Sequence, residues 1–178
     1  MSHVPLIRIV KGSSNFYGNL IRSYLRNHHS VHVFAQDNRI NVAIWLIFNM
    51  SNELYINNIC VTWVNGSPTM SFLIHTKQCP RDVVTLDMND GDFYIKYSKT
   101  TDLETMQRLL ASKQHASIIC AGSTCYDLIN ILPSLHTIGY IYYRTEVVRT
   151  YDTNKCEKAA IKVSIVPYNH EMLQQTNI

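Results

Sequence analysis

Long hydrophobic runs are missing from this chain. The longest, Val42 to Phe48, falls far short of the eighteen or so apolar residues that span a membrane. A signal peptide is missing too: Met1 to Pro5 leads straight into strand-like sequence without the required apolar segment. These absences predict a soluble intracellular protein, nuclear or cytoplasmic, that is neither secreted nor membrane-bound. The five cysteines (Cys60, Cys79, Cys120, Cys125 and Cys156) are odd in number and contain no CxxC pair. That argues against a disulfide framework and against structural zinc. Without secretion, the sequons Asn49-Met50-Ser51 and Asn65-Gly66-Ser67 carry no glycan. No HxH pair, Walker loop or dinucleotide fingerprint occurs, so no metal and no cofactor are expected.

Charge of one sign is also scarce overall, with a net of only +3. Its distribution is more informative. Residues 1–77 carry Arg8, Lys11, Arg22, Arg26, Arg39 and Lys77 against Asp37 and Glu53, a balance of +4. Residues 78–178 hold ten basic and eleven acidic side chains, a balance of −1. If either half meets a polyanion, the first is the better suited.

What is present is a hydrophobic content of 46%, enough for a real core, arranged in a repeated order. Val4 to Val10 alternates like a strand. Lys11 to Asn15 is a polar turn, and Asn15 to Asn27 is helical, with Phe16, Leu20, Ile21, Tyr24 and Leu25 at helical spacing. Val31 to Ala35 is a second strand. Asp37 or Asn38 then suits the cap of a helix reaching about Met50. That helix is apolar nearly all round, which requires burial on two sides, its own sheet and a second body. Tyr55 to Val64 and Ser67 to Thr76 form a hairpin through Asn65-Gly66, a dipeptide that takes two positive φ angles cheaply.

The order then recurs. Lys77 to Gly91 reads as a connector, with a short extended piece at 83–86. Asp92 to Lys99 is a strand, and Thr101 to Glu104 is a capping box opening a helix. Ala116 to Ala121 is a strand, and Gly122-Ser123 leads to a helix that Pro133 ends or kinks. Tyr140 to Tyr151 and Lys158 to Tyr168 are two final strands around a loop at 152–156, followed by a polar, loose tail. The fold class is therefore α+β, with two β-α-β-α-β-β domains at 1–77 and 92–178 and a linker at 78–91.

The element order, the Val10-Lys11-Gly12-Ser13 turn and Asn19-Leu20-Ile21 in the helix after it resemble the Alba family of chromatin and RNA-binding proteins. The resemblance takes in archaeal Alba and, most closely, the eukaryotic Alba-type subunits of ribonuclease P and MRP. The family's Gly-Arg-Ala-Ile-x-Lys-Ala-Val motif falls on Asp37 to Ile44. Ile40, Ala43 and Ile44 keep its apolar positions, while Asp37 and Val42 replace the glycine and the lysine. In the second copy it falls on Gly122 to Ile129, with Ser123 and Asp127 at its basic positions. Alba-type domains are similar to the C-terminal domain of translation initiation factor three and pair as dimers. Two copies in one chain imply an intramolecular pseudo-dimer, which supplies the second body for the helix ending near Met50. Further self-association or a larger ribonucleoprotein complex is compatible with it.

Lys11 with Gly12, Ser13, Ser14 and Asn15 is the leading candidate site, since a cation, small residues and helix N–H groups suit a phosphate. Arg22 and Arg26 extend the basic helix face, and Arg8, Arg39 and Lys99 stand near the turns. In the second hairpin Arg144, Arg149, Lys155 and Lys158 interleave with tyrosines such as Tyr143, a pattern that grips backbone and stacks bases. No side chain has a motif linking it to Cys125, so no catalysis is expected. The resulting expectation is a non-catalytic nucleic-acid-binding protein, with RNA favoured over DNA by the resemblance. The alternative is an Alba-like protein-interaction or chromatin-associated subunit that binds little nucleic acid itself, which the acidic balance of the second copy favours. A small enzyme using Cys125 is a third class.

Overall fold

Alternation of apolar and polar residues sets the strands, and a 3.6-residue period sets the helices. The computed structural model describes residues 4–76 and 93–168; the connector from Lys77, Cys79 and the tail beyond Tyr168 lie outside them. The first half runs β1 (Leu6–Ile9), α1 (Ser14–Leu25), β2 (Ser30–Gln36), α2 (Ile40–Met50), β3 (Tyr55–Val64) and β4 (Ser67–His75). The second runs β5 (Tyr94–Lys96), α3 (Leu103–Leu110), β6 (Ala116–Ala121), α4 (Cys125–Ile131), β7 (Tyr140–Tyr151) and β8 (Glu157–Pro167). The two four-stranded sheets share one plan, β1-β2-β4-β3 and β5-β6-β8-β7, with a parallel first pair and antiparallel partners after it. The described residues thus form a mixed α+β structure with two sheets and four α-helices.

The doubly apolar helix α2 has the two neighbours its sequence requires. Ile40, Ala43, Ile44, Leu46, Ile47 and Met50 are all buried, and the helix packs on its own sheet and on β7, β8 and α4. One continuous core therefore runs through both halves. Each fully buried Leu, Ile or Met contributes about 1.5–3 kcal/mol. Asn41 adds a polar link: its Nδ2 donates to Ser123 O (3.3 Å), and its Oδ1 accepts from Tyr126 N (3.2 Å). Asn41 and Tyr126 are each the second residue of their helix, α2 and α4. The link therefore joins equivalent points of the two copies.

Several local expectations are corrected. The buried stripe of α1 is Tyr17, Ile21 and Leu25, while Phe16 (56%) and Tyr24 (40%) are exposed. The helix turns by one position because Tyr17 and Gly18 face inward, Gly18 lying close to Leu46 and Met50 of α2. Neither Asp37 nor Asn38 caps α2 with its side chain. Asp37 instead takes φ +54° in a 3₁₀ turn, and Gly122 takes φ +68° at the same point of the second copy. Both bend the chain sharply out of a strand, a conformation Asp tolerates better than most side chains. Strand β5 is only three residues long, because the chain is taken over by hydroxyl bonds: Ser98 N donates to Thr101 Oγ1 (3.0 Å). With Thr101 so engaged, the cap of α3 is Asp102, which accepts from Thr105 N (2.8 Å). Pro133 sits in the first turn of a 3₁₀ helix over Leu132–Ile138, so the helical path continues beyond α4. The Asn65-Gly66 turn has φ +52° and +79°, the pair of left-handed angles expected of it.

Candidate nucleic-acid interface

Topology decides which turns can act together. Strands β1 and β2 are parallel, so their C-terminal ends share one edge of the first sheet. Gln36, the end of β2, pairs with Thr69 near the start of β4, bringing the Asn65-Gly66 tip to that same edge. The Lys11 turn, the 37–39 turn carrying Arg39, and the first hairpin tip therefore line one edge. By the equivalent register, Lys99, the 122–124 turn and the 152–156 loop line one edge of the second sheet.

The Lys11 turn is held rigidly. Gly12 has φ +119°, which only glycine adopts readily, and the Phe16 ring lies against it. Ser13 caps α1, accepting from Phe16 N (3.3 Å). The Tyr17 hydroxyl accepts from Val10 N (2.9 Å) and donates to Lys11 O (2.6 Å), tying the end of β1 to the turn. Sequence reasoning missed Tyr17; the signal was its position, four residues before Ile21 and eight before Leu25 on one helical stripe. The first turn of α1 holds no acidic residue. Lys11, Gly12, Ser13 and Asn15 are exposed and Ser14 is half-buried. The result is a positive, uncapped-by-charge helix end with an exposed cation and an exposed aromatic ring beside it.

The corresponding turn in the second half is built differently. The hydroxyls of Ser98, Thr100 and Thr101 bond one another, and the Asp102 carboxylate already occupies the helix end. The Thr105 amide holds that carboxyl below its ordinary range. Glu104 adds a second negative charge in the first turn. Lys99 is exposed on this loop.

The other candidate cations are scattered. Arg8 lies on the outer face of the first sheet, donating to Gln36 Oε1 (3.0 Å) and stacking over Phe34. Arg22 binds Glu53 through two nitrogens, at 2.9 and 3.1 Å. Arg26 is the C-cap of α1, about 18 Å along the helix from the Lys11 turn at 1.5 Å per residue. In the second hairpin three cations are paired: Arg144 with Glu146 (2.8 Å), Arg149 with Glu157 (3.4 Å) and Lys158 with Asp152 (3.2 Å). Asp152 Oδ1 also accepts from Asn154 N and Cys156 N, closing the loop, and the Cys156 bond foremost holds its carboxyl low. Lys155 stands exposed at that tip with φ +59°. A bulge between Tyr142 and Arg144 accompanies the 60% exposure of Tyr143.

Cys125 is buried and donates to Cys120 O (3.3 Å). Its hydrogen bond with the Cys120 side chain and its burial push the thiol far above the ordinary range, the opposite of an activated nucleophile. Among the described residues no helix is long and apolar enough to cross a membrane, and no group of three metal-ligating side chains gathers. Comparison of the chain with family models, curated proteins and solved structures finds no match.

Proposed function

We propose that this chain is a non-catalytic nucleic-acid-binding protein of tandem Alba-like design, in which the Lys11 turn seats a backbone phosphate and RNA is preferred over DNA. The observation that carries this reading is the chemical character of the α1 N-terminus: Lys11 beside a helix end with no acid in its first turn. Phe16, exposed against Gly12, adds a stacking surface next to the phosphate position. Arg39, on the same sheet edge, extends the track. The preference for RNA rests on the likeness to ribonucleoprotein subunits, a setting in which the protein works inside a larger complex.

A specific observation favours a second reading, the Alba-like protein-interaction subunit: Arg22, Arg144, Arg149 and Lys158 are all engaged by carboxylates. Gel-shift titration over a salt series with duplex DNA, single strands and structured RNA separates the two. The first reading requires binding that weakens steeply with salt and that drops in a Lys11→Ala/Arg22→Ala double variant. Binding at background level supports the interaction reading instead, while binding untouched by that variant refutes the Lys11 turn as the site.

A further inference from the structure

Helix α2 leaves one large side chain in the open. Its neighbours Ile44, Leu46 and Ile47 are buried, yet Trp45 is 43% exposed. The indole stacks on Phe48, with ring centres 5.3 Å apart and an angle of 14° between the planes. The Arg149 guanidinium stands over Phe48, 5.8 Å from its ring centre. The face of the second sheet that carries Ile161 and Val147 into the core continues past them, where Ala159 pairs with Arg149 and Glu157 with Tyr151. Between that end of the sheet and α2 runs a groove of about 380 Å³, within the range of small-ligand sites. Ile44, Trp45 and Ala159 supply its apolar lining, with Asn41, Gly122 and Glu157 around them. Lys158 borders it too, but is paired with Asp152 at 3.2 Å.

Three properties of the groove select its occupant. Trp45, backed by Phe48, is a fixed flat surface on which another π system can stack. The polar group left to the groove is an acceptor. Glu157 is held by Arg149 (3.4 Å), and its Oε1 accepts from the Tyr151 hydroxyl (3.4 Å). Arg149 Nε is buried without a hydrogen-bond partner among the described residues, so ring and carboxylate are what fix that side chain. Among the described residues no hydrogen bond falls on Glu157 Oε2, and an open carboxylate oxygen suits an N–H donor. The third property is position. Asn41 follows Arg39 by two residues, and Arg39 stands on the sheet edge that carries the Lys11 turn. Trp45 lies about 7.5 Å along the helix from Ile40 at 1.5 Å per residue. A strand whose phosphates follow that edge has the groove within reach of one of its bases.

We propose that this groove takes an unpaired guanine of a single-stranded RNA, stacked on Trp45 with its N1–H and amino group donating to Glu157. Guanine sets those donors side by side on its Watson–Crick edge, the edge read in unpaired RNA. Uracil presents one N–H between two carbonyls there, and a carboxylate repels the carbonyls. The inference rests on the nucleic-acid reading and adds to it a place for a base and a base preference.

Gel shift and tryptophan fluorescence at low salt test it, with an oligouridylate and the same oligomer carrying one central guanine. The full chain carries Trp63→Phe, so that Trp45 is the remaining tryptophan. The guanine oligomer is expected to bind about fivefold or more tightly than the oligouridylate and to quench Trp45 emission. Glu157→Gln should remove most of that preference, and Trp45→Ala should weaken binding of the guanine oligomer about fivefold or more. Equal affinity for the two oligomers, binding without a quench, or a preference untouched by Glu157→Gln overturns the groove and leaves the Lys11 turn standing. If neither oligomer binds, the nucleic-acid reading itself fails and takes this inference with it. Should the Trp63→Phe chain fold poorly by circular dichroism, the guanine preference and its loss in Glu157→Gln decide the matter in the unaltered chain.

Discussion

The two halves of this protein share a backbone plan and differ at nearly every position where chemistry could occur. Helix α1 begins at a neutral serine cap beside Lys11, whereas α3 begins at Asp102 with Glu104 behind it. The first hairpin turns through Asn65-Gly66, while the second carries cations that its own acids neutralise. Strand order, the left-handed residue after the second strand and the edge on which the turns gather are the same in both. The comparison teaches that fold duplication here preserves backbone geometry and the joint core, and leaves surface charge free to diverge.

The sharpest way to break the comparison is through the helix both halves share. Leu46→Ala removes a side chain that is 1% exposed and should cost about 2–5 kcal/mol. Because the core is continuous, the loss should appear as one transition in urea followed by far-ultraviolet circular dichroism. Two separate transitions would mean that the halves fold independently. Asn41→Ala is expected to cost about 1–3 kcal/mol by leaving the Tyr126 amide unpaired at the junction. A change below a few tenths in the same denaturation experiment would remove Asn41 from the list of links between the halves.

Smaller effects test the asymmetry of the turns. Lys11→Glu should weaken RNA binding about tenfold or more and lower the salt slope by about one, while Lys99→Glu should change gel-shift affinity much less. Equal effects would make the two turns functionally equivalent. The smallest effect concerns pH. The Asp102 carboxyl lies below its ordinary value of 3.8 in the folded protein. A depressed folded pKa contributes stability above the unfolded value and loses it as pH falls through the folded one. Acidification from about 3.8 downward should therefore weaken the α3 end, and Asp102→Asn should flatten that part of the stability curve. Ser13→Ala should leave it unchanged.

Much of the architecture was legible beforehand, and the reasons are local. Asn65-Gly66 announced its hairpin because few residues accept two positive φ angles. The apolar circumference of α2 announced a second neighbour because such a helix cannot face water. The cap at Asp102, one residue past the expected Thr101, was less legible, since the hydroxyl of Thr101 was claimed by Ser98. Which side of α1 faces inward depended on Tyr17 and Gly18 finding their places against the 9–11 turn and α2.

The candidate site divides along the same line. Lys11, Gly12 and Ser13 were readable as a candidate anion-binding turn because the donors are adjacent in the chain. The ion pair of Arg22 with Glu53 joins residues 31 positions apart. No spacing rule reaches that far. The sequence by itself determined the element types, the repeated order and the local chemistry of each turn, because those depend on dihedral preference and periodicity within a few residues. Only the tertiary structure decided which cations are paired with acids, which helix face is buried and which turns share a sheet edge. Those depend on strand register and on the packing of distant segments.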